Sequence, residues 1–250
     1  MELWSFGGEL NTIPTATPEE QCSILQGIID YYKDVKTNHR SNLHVHVRVP
    51  TLIDNLPALK QLATYNFENK DILKLIEPIP TPVRLEFNSD KEYQGAYKRY
   101  KRCLVSHHTV LSKKKVDAQL KATSITEFFE AEVPRSSKRP LWHLSPRAAV
   151  NVRQLLETDT IEFRHFPGTL NLDELLTAIE WCRDYLNAAL NTQEPAILLY
   201  RRQYKDRTFP TFPPFNYKLD QIFKLTKHGG ILSKEQINNN IKKILKGELP

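Results

Sequence analysis

The spacing of apolar residues changes period along this chain, and each change marks an element. Between Asn171 and Leu190, residues Leu172, Leu175, Leu176, Ile179, Cys182, Tyr185, Leu186 and Ala189 recur three and four apart. That stripe predicts a long amphipathic helix with those residues turned inward. Thr17-Pro18-Glu19-Glu20 supplies a Thr cap, a proline in the first turn and two acids, predicting a helix to about Lys36. Leu43 to Val49 alternates strictly, as a half-buried strand does. Ala149 to Leu155 and Thr160 to Phe166 read as two further short strands. Helical spacing also covers Leu52 to Phe67, Lys70 to Ile76, Lys91 to Ser106 and Ser124 to Ala131. Ser233 and Gln236 form a capping box that opens one more helix. Leu3 to Asn11 reads as extended, and residues 77–82, 133–140 and 209–215 as loops. Strands and helices alternate irregularly and without a repeat, so the pattern predicts an α+β fold. The expected organisation is a main domain, residues 1–195, followed by a helical extension, residues 196–250.

Side chains alternate across a strand, which sorts the polar residues by face. In the first strand Leu43, Val45, Val47 and Val49 point one way, and His44, His46 and Arg48 the other. Burying three basic groups unpaired costs several kcal/mol, so that face meets solvent, a metal or an anion. Two imidazoles two residues apart aim at one point, which suits a metal; an exposed edge strand would carry them as well. In the last strand Ile161 and Phe163 share a face with His165, while Thr160, Glu162 and Arg164 take the other. Glu162 can hold a divalent cation and Arg164 can grip phosphate or carboxylate oxygens; the two also suit a plain cross-strand ion pair. Glu9 and Asn11 share a face in the same manner near the start. The period-2 placement predicts that His44, His46, Glu162 and Arg164 face one cleft from adjacent or near-adjacent strands.

Charge and composition narrow the chemistry. Lys91 to Lys115 holds eight basic residues and one acid, an excess of seven charges against +6 for the whole chain. Tyr93, Tyr97 and Tyr100 interleave with them, so the segment reads either as a surface for an anionic partner or as a solvated helix face. Only eight of the 250 residues are glycine. No Walker loop and no G-x-G-x-x-G occurs, so a nucleotide would be held by side chains rather than by a glycine-rich turn. Cys22, Cys103 and Cys182 are odd in number and far apart, which argues against a disulfide framework and points to a cytoplasmic setting. No apolar run reaches the roughly 18 residues of a membrane helix, so no membrane partner is expected.

Five segments in order carry a resemblance. They are Gly7-Gly8-Glu9-Leu10-Asn11-Thr12, Leu43-His44-Val45-His46-Val47, Arg147-Ala148-Ala149-Val150-Asn151, Thr160-Ile161-Glu162-Phe163-Arg164-His165, and Gly168-Thr169-Leu170 before a helix with Trp181. Together they resemble the amidoligase family, ATP-dependent carboxylate–amine ligases with a glutamine-synthetase-like fold. The resemblance implies a largely antiparallel sheet, polar on one face and packed by helices on the other. It implies Glu9, His44 and Glu162 as ligands of Mg2+ (or Mn2+), with ATP contacted by His46, Arg48, Arg147, Asn151 and Arg164. Arg164, Arg147 and His46 would then be the catalytic side chains. A carboxylate would attack the γ-phosphate, and an amine would displace phosphate from the acyl phosphate to give an amide. The implied partners are a small-molecule or peptide carboxylate and an amine, with room for a homo-oligomer. Family members open with a Glu-x-Glu strand, whereas only Glu2 precedes Gly7 here. The expectation is therefore weak Mg·ATP binding unless such a strand is supplied. Two alternatives share the residues: an inactive amidoligase-like binding protein using the basic surface, and a His-x-His/Glu metalloenzyme.

Overall fold

The computed structural model describes residues 12–31, 42–70, 88–103, 112–131, 149–196, 198, 199 and 239. Helix α1 (Pro18–Tyr31) starts where the Thr-Pro-Glu-Glu pattern places it. The Thr17 hydroxyl accepts from the Glu20 amide at 3.2 Å, and the Glu20 carboxylate accepts from the Thr17 amide at 3.3 Å. That reciprocal pair satisfies amides the first turn would otherwise orphan. Strand β1 (Asn42–Arg48) follows, then α2 (Leu56–Glu68). Helix α2 begins four residues later than its apolar spacing predicts, because Asn55 is the cap: its Oδ1 accepts from the Ala58 amide at 3.0 Å, and Pro57 fits the first turn. Helices α3 (Asp90–Cys103), α4 (Lys113–Lys121) and α5 (Ile125–Glu130) come next.

Helix α4 is not predicted by the sequence pattern. Only Val116 and Gln119 of it are buried, too narrow a stripe to show as periodicity. The strand expected over Ala149 to Leu155 is a correction. Only Val150–Asn151 is strand (β2), and the chain then turns through Val152–Gln154 into a short helix α6 (Leu155–Thr158). The physical reason is local: Asn151 Oδ1 accepts from the Arg153 amide at 3.1 Å and caps the turn. Asp159, left-handed at φ 55°, then reverses the chain into β3 (Thr160–Pro167). Helix α7 (Leu172–Asn187) follows and runs on through a wider turn over Ala188–Thr192.

The three strands form one antiparallel sheet in the order β1-β3-β2, so the fold is α+β as expected. Val45 pairs with Phe163, His46 with Glu162, and Asn151 with Glu162 from the other side. One face carries Val45, Val150, Ile161 and Phe163 into the core, against α7. Trp181 and Tyr185 of α7 meet Phe163 edge-on, at centroid distances of 6.0 and 5.8 Å. The buried stripe of α7 is rotated from the predicted one. It keeps the expected Leu175, Cys182, Tyr185, Leu186 and Ala189, adds Ala178 and Trp181, and leaves Leu172, Leu176 and Ile179 half-buried on its flank. Helix α1 lies against α7.

Polar bonds inside the core tie α2 to the far end of α7. The Tyr185 hydroxyl donates to Asn66 Oδ1 at 2.8 Å, and the Tyr65 hydroxyl donates to the Glu194 carbonyl at 2.6 Å. Burial pushes both phenols up from their ordinary range. Ala196 and Leu199 belong to the same core, so its packing continues past residue 195. The expected extended segment 3–11, loops 77–82, 133–140 and 209–215, the helix 70–76 past Lys70 and the helix after Ser233 apart from Asn239 lie outside the described residues. Among the described residues no helix is long and apolar enough to cross a membrane.

Phe163 is fully buried against two aromatic rings, so Phe163→Ala should cost about 3–5 kcal/mol in urea unfolding. At the start of α5, the Glu127 carboxylate accepts from the Thr123 amide at 2.6 Å and the Thr123 hydroxyl at 2.9 Å. These bonds, the Thr123 amide first, hold its pKa below the usual carboxylate range. A depressed acid contributes stability above its unfolded pKa, and that contribution is lost as pH falls through its folded value. Glu127→Gln should therefore lower the melting temperature at neutral pH. The gap to wild type should close in acid, below about pH 4.

Candidate functional site

The second sheet face collects the polar residues of all three strands. Glu162 stands at its centre and is only 2% exposed. A buried carboxylate must find donors close at hand, and Arg164 and Asn151 supply them. Arg164 Nη1 donates to Oε1 at 2.9 Å, and Asn151 Nδ2 donates to Oε2 at 2.9 Å. His44 Nδ1 lies 3.3 Å and His46 Nε2 3.7 Å from Oε1. The exposure of these side chains grades outward: 21% for Arg164, 30% for His44 and 42% for His46. The site thus has a closed floor at Glu162 and an open rim at His46.

The expected convergence of His44, His46, Glu162 and Arg164 on one face is present, and Asn151 joins it from β2. Arg48 stands at the exposed end of β1, 3.9 Å from the Asp159 carboxylate, and pairs with it loosely. Arg147, Glu9 and Asn11 lie outside the described residues, as does the side chain of His165. The pattern did not single out two hydroxyls that reach the rim. Thr160 Oγ1 is 3.0 Å from His46 Nδ1, and Thr158 Oγ1 is 2.7 Å from Thr160 Oγ1. Thr160 was legible as a member of this face by its even spacing from Glu162. Thr158 carries no strand signal, because it belongs to α6.

A bulge shapes the inner end of the site. Leu43 pairs with Phe166 but Val45 with Phe163, so β3 spends one residue more than β1 between these pairs. The extra residue breaks strict alternation. Phe166, which period 2 would put on the Glu162 face, returns to the core and meets Trp181 edge-on at 6.0 Å.

Chemically the face offers a fixed guanidinium and two imidazoles around a neutralised carboxylate. Such a set suits phosphoryl or carboxylate oxygens, since an arginine fork is matched to paired oxygens. A divalent cation fits less well. Among the described residues no group of three or more His, Cys, Asp and Glu is arranged to hold one. Oε1 of Glu162 is already held by a guanidinium, whose charge opposes a dication at the same atom. The described part of the implied ligand set, without Glu9, therefore does not fit a magnesium centre.

The basic segment is partly described. Lys91, Lys113 and Lys114 are exposed, and Tyr93 and Tyr97 stack at 5.9 Å on α3. Lys113 bonds Asp117 one turn on, at 2.7 Å.

The fold and site together define an α+β domain with an Arg/His/Glu-lined sheet face. No family model, curated protein or solved structure matches the chain.

Removing Arg164 would leave the buried Glu162 carboxylate short of its nearest cation. Arg164→Met should cost about 1–3 kcal/mol. The double variant Glu162→Gln/Arg164→Met should recover part of that loss, because no charge is then stranded. Urea denaturation of the four proteins checks this; strict additivity would show that the pair is not coupled.

Proposed function

We propose that this chain is an amidoligase-type domain that joins a carboxylate to an amine at the expense of ATP. The observation that carries the reading is the meeting of the His-x-His strand, the Glu-x-Arg strand and Asn151 at one carboxylate on one sheet face. That is the juxtaposition expected of a glutamine-synthetase-like sheet. It also supplies phosphate-binding side chains to a chain without a glycine-rich loop.

On this reading each side chain has a definite task. Arg164, anchored through Nη1 by Glu162, presents its remaining nitrogens to the oxygens of the transferring phosphoryl group or of the acyl phosphate. Charge accumulates on those oxygens during transfer, and a guanidinium already in place meets it without reorganisation. His46, at the open rim, lies where an amine or a leaving oxygen would pass. Asn151 and His44 keep Glu162 in position, so that Arg164 does not swing away. A free carboxylate, a free amine and ATP would be consumed, and an amide, ADP and phosphate released. ATP is expected to enter as its magnesium complex.

The test is ADP release from Mg·ATP across panels of carboxylates and amines, with calorimetric titration of the nucleotide. Release that requires both an acid and an amine is the expected result. Arg164→Lys keeps the charge but loses the planar fork, and should cut turnover at least about ten-fold at an unchanged melting temperature. No nucleotide binding and no ADP release with any pair would overturn the reading.

A further inference from the structure

The rim of the site contains a hydroxyl chain whose direction can be worked out. Thr158 Oγ1 lies 3.0 Å from the Gln154 carbonyl oxygen. A carbonyl only accepts, so Thr158 spends its one proton there. Thr158 Oγ1 is then an acceptor toward Thr160 Oγ1 at 2.7 Å, and Thr160 spends its own proton on Thr158. What remains on Thr160 Oγ1 is a lone pair, and it faces His46 Nδ1 at 3.0 Å. His46 must therefore donate, with its proton on Nδ1. Its other nitrogen, Nε2, looks inward to Glu162 Oε1 at 3.7 Å.

We infer that Thr158 and Thr160 are positioning residues that hold the proton of neutral His46 on Nδ1. The lone pair is thereby kept on Nε2, the nitrogen that faces the site. The hydrogen bond made by one ring nitrogen decides the state of the other. A neutral imidazole in water favours the opposite arrangement, with its proton on Nε2, so the relay works against the ring's own preference. The free lone pair of the neutral ring is then at Nε2. An incoming amine or hydroxyl would find an acceptor there and not a donor. The inference concerns the ligand-free chain and stands or falls independently of the ligase reading.

The experiment is nitrogen-15 NMR of the full chain, labelled at histidine, at alkaline pH. Long-range proton–nitrogen couplings show which nitrogen carries the proton, and His46→Gln assigns the signal. Wild type should show Nδ1–H as the major form of His46. Thr160→Val removes the acceptor and should move the tautomer ratio about ten-fold toward Nε2–H, the scale of one net hydrogen bond. Thr160→Ser keeps the hydroxyl and should keep the wild-type ratio. Thr158→Val is the sharper variant, because Thr158 does not touch His46. It frees the Thr160 proton to be donated to Nδ1, and should also move the ratio toward Nε2–H. A wild-type ring with Nε2–H as its major form would overturn the inference. So would a Thr158→Val ratio equal to wild type. These two measurements decide the matter even if Thr160→Val fails to fold.

Discussion

The pairing of His46 with Glu162 across β1 and β3 decides where every other residue of those strands points. Side chains alternate, so this one register sends Val45, Ile161 and Phe163 to the aromatic rings of α7. It sends His44, Glu162 and Arg164 to the opposite side. A slip of one residue in β1 would turn its imidazoles onto Trp181 and its valines onto a carboxylate. The register is thus held from both faces at once, by apolar packing on one and by charge pairing on the other. Glu162 is the residue most exposed to error, being a buried charge that is tolerable only with its donors in place. Asn151 completes that set from the third strand.

The bulge in β3 couples the two faces. Without it Phe166 would fall on the Glu162 side and crowd the site. With it Phe163 and Phe166 both reach Trp181, and the polar face ends at Arg164. The extra residue falls beside Arg164, and bulges commonly sit next to functional side chains, where they re-aim them. The same device brings Phe166 into the core and away from the Glu162 face. Core substitutions at Phe163 or Trp181 should for this reason disturb Arg164 as well as stability.

The convergence of β1 and β3 was legible because it needs only period-2 alternation and the apolar residues that mark one face. The cap at Thr17 was legible because it is a short local pattern. What was not legible depends on distant partners. The strand expected over Ala149 to Leu155 is apolar enough, but Asn151 bonds the Arg153 amide and turns the chain after two residues. The inward stripe of α7 is rotated because its position is set by where Phe163 and Phe166 stand, and the second of these depends on the bulge. Helix α4 buries too little to leave a periodic trace. Thr158 has meaning only through Thr160, and Thr160 only through the strand opposite.

The charges at this face favour one kind of ligand. Glu162 and Arg164 cancel at 2.9 Å, and Arg48 and Asp159 are loosely paired at the exposed end. The two imidazoles add either nothing or positive charge, never negative. Among the described residues Arg164 commits one nitrogen to Glu162, and the rest of its fork faces no partner there. A cation arriving at Oε1 would have to displace a guanidinium that is four-fifths buried, and would find neutral nitrogen donors beside it. An anion displaces nothing: it meets a guanidinium already oriented and, at the rim, imidazoles that can donate when protonated. On the proposed reading Glu162 acts by aiming Arg164, which it holds at 2.9 Å.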